Sequence, residues 1–288
     1  MNNKVVLYHA DCVDGFTAAW VSRLHRLYNI KALLEKCQGT IRCIPVRYEE
    51  DPPVDIYNSD IYIVDFSYKR EVLLKMRERC QGKVVVLDHH KTAEAELEGL
   101  EDCIFDMNKC GTVLAWEYFF PEKPIPLFLE YVQDWDLYRL KLPNSEALRE
   151  YVSAYDFDFK TWDELADHFE DPSQRAFSHM VHAGSAIQRW ISKSVAYHLA
   201  RQKQIGFTGG TFPTCVVSDK RLVTKVGLAL AEQSGTAGAC IIPQKGRVEV
   251  SLRSIGDFDV SEVAEQNGGG GHKNAAGFYA QYWFLGDH

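Results

Sequence analysis

The residues best suited to chemistry stand together at Asp88, His89 and His90, directly after the apolar run 84–87. Four consecutive apolar residues predict a strand that is buried on both faces, as in a parallel sheet. A carboxylate and two imidazoles at the end of such a strand could bind a metal ion or a phosphate, at the edge where open α/β sheets place their sites. Solvated histidines are the alternative, and this motif alone does not decide between the two.

Two other predicted strands end in residues of the same kind. One ends at His9 and is followed by Asp11 and Asp14, and another ends at Asp65. If the strand geometry persists, His9 and Asp11 point to the same side, because side chains alternate along a strand. Asp14 also suits the N-cap of the helix that follows. Three strands that end in such side chains at one sheet edge favour a binding site over a solvated surface.

Two later segments add candidate ligands. Asp134 and Asp136 close a predicted helix, at the end where the helix dipole disfavours carboxylates, so a compensating cation is expected there. The segment GGGGHKNAAGF (residues 268–278) places four glycines before His272. Such a loop lets the backbone approach a ligand closely and leaves N–H groups free for an anion. A flexible turn between elements is the alternative.

Composition limits the possible functions of the chain. The chain has 288 residues, of which 46% are hydrophobic and 25% are charged, as in an ordinary globular protein of one large or two smaller domains. The net charge of −8 disfavours binding of long nucleic acid, which usually requires a basic surface. No apolar run approaches the roughly 18 residues of a membrane span, and no signal peptide is recognised. Eight cysteines without a CxxC pair favour a reducing cytoplasm over a zinc ribbon or a disulfide framework.

The order of predicted elements indicates an α/β fold. Strand–helix units recur through the first part of the chain, which predicts a mostly parallel sheet. A long helix is predicted over residues 173–204, and the remainder has its own strands and a helix. We therefore predict a metal-binding domain over 1–180, a linker helix over 181–205 and a smaller α/β substrate-binding domain over 206–288.

The sequence resembles the DHH phosphoesterases. The resemblance is carried by LDHH (87–90), the HxD…DG stretch near the N-terminus, Asp65, the later acidic cluster and GGGGHKNAAG. It spans nearly the whole chain and is most specific in the order and spacing of LDHH and GGGGHxNAAG. Within that family, the chain more specifically resembles the branch with the first type of DHH-associated C-terminal domain, which includes RecJ-like exonucleases and nanoRNA or pAp hydrolases.

The resemblance implies a two-ion centre and a phosphate-binding loop. Two Mn²⁺ ions, for which Mg²⁺ or Co²⁺ could substitute, would share Asp65. The first ion would be held by His9, Asp11 and Asp65, and the second by Asp14, Asp65, His89 and Asp134. His90 would face the substrate phosphate, and Asp88 would orient a histidine. In the C-terminal domain the substrate would contact Arg253, Gly269, Gly270, Gly271 and His272.

Two departures from the family pattern leave assignments open. The family pattern HxDxDG stands here as HADCVDG, one residue longer between Asp11 and Asp14, which leaves open which aspartate binds which ion. Spacing alone does not choose between Asp134 and Asp136. Asp134 is preferred because it closes the apolar helix.

The expected function is Mn²⁺-dependent hydrolysis of 5′-phosphorylated dinucleotides such as pGpG, and of nanoRNA, to mononucleotides by a two-metal mechanism. Related alternatives are a cyclic dinucleotide phosphodiesterase, a pAp phosphatase and an exopolyphosphatase. An alternative of another class is a sensor that binds nucleotides without cleaving them. No long nucleic acid and no membrane is expected as a partner. Base preference, chain length and oligomeric state, a homodimer included, stay open.

Overall fold

The computed structural model describes residues 3–32, 40–48 and 50–281, with the side chains of 26–32 excepted. The chain divides into two compact units, Met1–Ile187 and Gln188–His288. Cys37, one of the eight cysteines, lies outside the described residues. Residues 282–288, the end of the predicted substrate-binding domain, also lie outside them.

The first unit is built on a sheet of five parallel strands in the order β2-β1-β3-β4-β5. The strands are β1 (Asn3–His9), β2 (Ile41–Val46), β3 (Ser59–Val64), β4 (Val84–Asp88) and β5 (Cys103–Phe105).

Alternate residues of β1 enter different cores on the two faces of this sheet. Val6 and Tyr8 pack into one apolar cluster, and Val5 and Leu7 pack into another on the opposite side. Among the described residues, eight helices accompany these strands, and the last of them continues into the second unit. They are α1 (Val13–Ala32), α2 (Arg70–Arg79), α3 (Lys91–Glu96), α4 (Gly111–Phe119), α5 (Leu127–Asp136), α6 (Ser145–Val152), α7 (Phe159–Phe169) and α8 (Arg175–Leu199).

The strand order reverses direction between β1 and β3. The chain passes from β1 to β2 on one side and then crosses to β3 on the other side of β1. Ligands of open α/β sheets bind at such a switch point, beyond the carboxyl ends of the strands. Here the residues at those ends are His9 on β1 and Asp65 directly after β3.

The second unit carries a mixed sheet of six strands in the order β10-β11-β9-β8-β7-β6, in which only the β7–β8 pair is parallel. Its strands are β6 (Lys203–Phe207), β7 (Gly210–Val216), β8 (Ala237–Gln244), β9 (Arg247–Ser254), β10 (Gly270–His272) and β11 (Ala275–Ala280), and its helices are α9 (Lys220–Ser234) and α10 (Val260–Gln266).

The predicted α/β class, with a parallel sheet followed by a smaller α/β unit, is confirmed. The acidic segment that follows His90 begins within α3. The long helix predicted over 173–204 is shorter at both ends, as α8. Within the described residues, no helix is both long enough and apolar enough to span a membrane.

Candidate metal centre

Asp65 lies at the middle of the candidate site. Asp65 is 1% exposed. Its backbone adopts a left-handed φ of 52°, which is rare for a non-glycine residue and is often found at functional sites. Nε2 of His89 lies 3.1 Å from Oδ1 of Asp65. The other oxygen, Oδ2, has no hydrogen-bond partner among the described residues and lies 3.6 Å from Nδ1 of His9.

His89 connects Asp65 to two further carboxylates. Its Nε2 lies 3.5 Å from Oδ2 of Asp136, at the end of α5, and 3.9 Å from Oδ2 of Asp14, in the first turn of α1. The side chain of Asp14 is fully buried and that of Asp136 is 23% exposed. Three carboxylates around one imidazole concentrate negative charge at the edge of the sheet.

Asp14 is held by the N-terminus of α4. Its carboxylate accepts hydrogen bonds from the backbone N–H groups of Gly111 (2.6 Å) and Thr112 (2.8 Å). These N–H groups have no partner within the helix, and the helix dipole favours an anion there. A Cβ on Gly111 would lie 2.5 Å from Cβ of Asp65, so only glycine permits this approach. The start of α4 therefore fixes Asp14 and Asp65 relative to each other.

Burial and, after it, mutual repulsion raise the pKa of two of these acids. For Asp14, burial and then the charges of Asp65 and Asp136 raise the pKa well above its usual value. For Asp136, burial and then the charge of Asp65 raise the pKa to about 6. Without a cation, the folded protein therefore resists full ionisation of the cluster.

The pKa values of Asp65 and His89 shift in favour of the charged form of each side chain, because the two pair with each other. Burial acts to raise the pKa of Asp65, but the hydrogen bond with His89 and the contact with His9 lower it to about 2. Burial acts to lower the pKa of His89, but its hydrogen bond to Asp65 and the charges of Asp136 and Asp14 raise it to about 9. A protonated His89 thus supplies the positive charge that the acids require when no cation is bound.

Asp88 positions the neighbouring histidine. Its carboxylate is buried, accepts a hydrogen bond from Ser67 Oγ at 2.6 Å and lies 2.7 Å from Nδ1 of His90. The hydrogen bond with Asp88 raises the pKa of His90. The ring of His90 remains 37% exposed, so an imidazole with a fixed orientation faces the surface of the site.

The donors of this region fit a divalent cation. The groups whose ligand atoms lie within 4.8 Å of one another are His9–Cys12–Asp65, Asp14–His89–Asp136 and Asp65–Asp88–His89–His90. Carboxylate and imidazole donors suit Mn²⁺ and similar ions. Oδ2 of Asp65 has no hydrogen-bond partner in the described part of the chain, and the pKa values of Asp14 and Asp136 are raised; a bound cation would relieve both features.

Of the six predicted metal ligands, His9, Asp14, Asp65 and His89 come together, whereas Asp11 and Asp134 lie apart from those groups. Asp11 has a left-handed φ of 56°, and its side chain is 76% exposed, with Oδ2 2.7 Å from Nη2 of Arg47.

Asp134 is buried and binds, through hydrogen bonds, the segment of the chain that follows α5. Its carboxylate accepts hydrogen bonds from the backbone of Lys141 (2.9 Å) and Leu142 (3.3 Å) and from Ser145 Oγ (2.5 Å). Its neighbour Asp136 is the member of the pair that joins the cluster.

The sequence analysis did not single out Cys12 and Tyr48, which both lie beside His9. Cys12 joins His9 and Asp65, and the ring of Tyr48 lies 5.5 Å from that of His9. A signal for Cys12 was present: counted back from Asp14-Gly15, it occupies the position at which HxDxDG has its first aspartate. Tyr48 follows β2 and carries no comparable signal.

The glycine-rich segment of the second unit forms an edge hairpin. Strands β10 and β11 pair antiparallel, with His272 opposite Ala275. A Cβ on Gly269 would lie 2.1 Å from the carbonyl oxygen of Gly277, and one on Gly271, with φ +147°, would lie 2.5 Å from Cα of Ala276. Two of the predicted loop glycines are therefore required by backbone contact, and Gly270 has open space around it. His272 is exposed.

Arg253, on β9, is held by neutral oxygen atoms. Its guanidinium donates hydrogen bonds to Ser251 Oγ (3.0 Å), the carbonyl of Leu252 (2.8 Å) and Thr224 Oγ1 (3.1 Å). These contacts hold the side chain in place without neutralising it. Its positive charge suits the anion contact that the sequence analysis predicts.

Comparison with known proteins agrees with these motifs. The DHHA1 domain family matches residues 218–283. An uncharacterized protein of Acanthamoeba polyphaga mimivirus is 32% identical over 288 residues, which cover 95% of this chain and 66% of that protein. Oligoribonuclease NrnB of Bacillus subtilis (strain 168) is 25% identical over 243 residues, 75% of this chain and 58% of that protein. The chain belongs to the DHH phosphoesterases with a DHHA1 C-terminal domain. It spans 66% and 58% of the length of these two curated relatives.

Solved structures share the fold of this DHH family member. The DHH domain of a protein from a ribosomal protein family superposes with a TM-score of 0.66 at 14% identity, covering 98% of this chain and 83% of that one. The pGpG-specific phosphodiesterase PggH of Vibrio cholerae gives 0.55 at 13% identity, with 97% and 94% covered. The exonuclease RecJ bound to manganese gives 0.55 at 15% identity, with 99% and 87% covered.

Proposed function

We propose that this DHH protein is a Mn²⁺-dependent phosphodiesterase that hydrolyses short 5′-phosphorylated oligonucleotides, such as pGpG, to mononucleotides. The observation that carries the proposal is the buried carboxylate of Asp65 between two sets of donors. His9 lies on the side of its Oδ2, and His89, with Asp14 and Asp136 beyond it, lies on the side of its Oδ1. One carboxylate with ligands on both sides is the arrangement that a pair of bridged cations requires.

The proposed ligand sets follow the clusters of the structure. His9 and Asp65 would hold one ion, and Asp14, Asp65, His89 and Asp136 would hold the other, with Asp136 in the role first expected for Asp134. Two Mn²⁺ ions bound there would activate water for attack on phosphorus and stabilise the charge of the phosphate. Asp14 would be kept in place by the N-terminus of α4, and His89 would exchange its proton for the cation.

His90 is proposed to bind the phosphate of the substrate. Asp88 fixes Nδ1 of the ring and favours the protonated form, so the other nitrogen can donate a charge-assisted hydrogen bond to a phosphate oxygen. Because Asp88 is fully buried and accepts a hydrogen bond from Ser67 Oγ, its carboxylate is fixed and orients the His90 ring before any substrate arrives. Arg253, His272 and the glycines 269–271 stay proposed contacts for the substrate phosphate.

Charge and similarity both support a short nucleotide as the substrate. A net charge of −8 disfavours a long polyanion, whereas a local cation centre can still accept a short one. One relative is an oligoribonuclease, and one structural neighbour is specific for pGpG. These similarities support the substrate class and leave the preferred base open.

A chain-length series tests the proposal. The purified chain is incubated with Mn²⁺ and with pGpG, pApA, 5′-phosphorylated RNAs of increasing length, cyclic dinucleotides, pAp and polyphosphate, and the products are separated chromatographically. We expect mononucleotides from the dinucleotides, lower rates for longer RNAs and no turnover with EDTA. Preferential turnover of cyclic dinucleotides, pAp or polyphosphate would replace the proposed substrate. Tight binding of dinucleotides without any product would indicate a nucleotide sensor.

A further inference from the structure

The turn after β1 places the thiol of Cys12 beside His9 and Asp65. One ligand atom of each of these three residues lies within 4.8 Å of the other two. Oδ2 of Asp65 is buried without a hydrogen-bond partner among the described residues, and it lies 3.6 Å from Nδ1 of His9. An unsatisfied carboxylate oxygen, an imidazole nitrogen and a sulfur therefore lie within reach of a single cation.

Asp11, the acid expected to bind this ion, pairs with Arg47 instead. Its left-handed backbone breaks the alternation of β1, and its carboxylate binds Arg47 through two nitrogens, Nη2 at 2.7 Å and Nε at 3.2 Å. The side chain is 76% exposed. To reach the ion of His9 and Asp65, Asp11 would have to leave Arg47 and turn back toward the strand end.

We propose that the thiolate of Cys12, and not Asp11, completes the ion site of His9 and Asp65. This assignment rests on the proposed two-ion centre and adds to it one soft ligand. On binding, the thiol releases its proton to solvent and a bond between Sγ and the cation forms. Because thiolates favour Zn²⁺ and Co²⁺ more than Mn²⁺, the two ion sites should differ in metal preference.

Absorption spectroscopy of the Co²⁺-loaded protein tests the assignment without any turnover. A thiolate bound to Co²⁺ produces a charge-transfer band in the near ultraviolet, which carboxylate and imidazole ligands do not produce. We expect this band on titration of the metal-free protein with Co²⁺ alone. In Cys12→Ser the band should disappear, and the affinity of this site for Co²⁺ should fall at least roughly 10-fold. Loss of a residue that only hydrogen-bonds to a metal ligand already lowers metal affinity by about 10-fold or more, so loss of a ligand should cost at least as much.

Two further variants make the result specific. Cys110→Ser removes the other thiol of this region, which directly precedes the Asp14-binding residue Gly111, and should keep the band. Asp11→Asn should keep both the band and the number of bound ions. X-ray absorption of the Zn²⁺-loaded native protein should show one sulfur at about 2.3 Å, and this measurement needs no variant.

The contradicting results are distinct from a failure of the proposed activity. A native protein without the band and without a sulfur neighbour, or a band that survives Cys12→Ser, would overturn the role of Cys12. Loss of one ion in Asp11→Asn would return that site to Asp11. If the band is present but no dinucleotide is hydrolysed, the ligand assignment stands and the proposed substrate is wrong.

Discussion

Asp134 and Asp136 stand two residues apart, and substitution of each by asparagine should have opposite effects on the metal-free protein. In Asp136 the carboxylate faces Asp65 and Asp14, and its pKa is raised from 3.8 to about 6. A shift of about two units corresponds to about 3 kcal/mol of unfavourable interaction when the group is ionised at pH 7. Asp136→Asn removes that charge, so the metal-free protein should gain roughly 1–3 kcal/mol in its free energy of unfolding.

The pH dependence of this gain follows from the sign of the shift. A pKa that is raised on folding means that the ionised form is less stable in the folded protein than in the unfolded chain. The gain from Asp136→Asn should be complete above about pH 6 and should decrease as the pH falls. The gain should vanish below about pH 3.8, where the carboxyl of the native Asp136 is protonated in both the folded and the unfolded protein.

Asp134→Asn should destabilise the protein. The native carboxylate accepts hydrogen bonds from two backbone N–H groups and from Ser145 Oγ. An asparagine side chain offers only one oxygen, so at least one buried donor loses its partner, at a cost of about 1–3 kcal/mol. For a unit of this size, each kcal/mol corresponds to about 2–4 °C in Tm.

Calorimetry and Mn²⁺ titration on both variants measure these effects together. We expect Asp136→Asn to raise Tm in EDTA and to weaken Mn²⁺ binding at least roughly 10-fold. Asp134→Asn should lower Tm and leave Mn²⁺ affinity within about 2-fold of the native value, because its side chain clamps a loop. Loss of Mn²⁺ binding in Asp134→Asn, together with native-like binding in Asp136→Asn, would show that Asp134 and not Asp136 binds the ion.

Three further outcomes are expected. Gly111→Ala should abolish binding of one ion and lower Tm, because its Cβ would lie 2.5 Å from Cβ of Asp65; metal analysis of the folded fraction checks this, and full occupancy would contradict it. Mn²⁺ binding should release protons at pH 7, since His89 has a pKa raised to about 9, and the affinity should drop more steeply below about pH 6 as Asp136 also takes up a proton. Calorimetric titrations in buffers of different ionisation enthalpy would count those protons, and a count of zero would contradict the site. His272→Ala should slow hydrolysis of 5′-phosphorylated dinucleotides roughly 10- to 100-fold without changing bound Mn²⁺, and an equal loss on a small chromogenic phosphodiester would contradict its role.

The elements that deliver the ligands could be predicted because their sequences are locally unambiguous. The strand that ends at Asp88 begins at Val84, as the apolar run 84–87 predicts. Apolar β-forming runs that end in polar residues are strong signals, and parallel strands align such ends at one edge.

The direction of individual side chains could not be predicted in the same way. The expectation that Asp11 faces the same side as His9 assumed extended geometry, but the left-handed φ of 56° at Asp11 ends that alternation. Asp134 and Asp136 are two positions apart on a helix and so lie on different faces, and packing against the following loop decides which face meets the cluster. The contact of Asp14 with α4 joins residues 97 positions apart, which no local pattern encodes.

Two bound ions are required for hydrolysis if Asp65 bridges them. The number of Mn²⁺ ions per chain should therefore be measured in the same samples as the rate of pGpG hydrolysis while the Mn²⁺ concentration is raised. Asp65→Asn, which alters the carboxylate proposed to bridge both ions, serves as the comparison. We predict that the native chain binds two ions, that the rate follows occupancy of the second ion, and that Asp65→Asn binds fewer than two and does not hydrolyse pGpG. Full hydrolysis by the native chain with one ion or none, or two ions and undiminished hydrolysis in Asp65→Asn, would contradict the account.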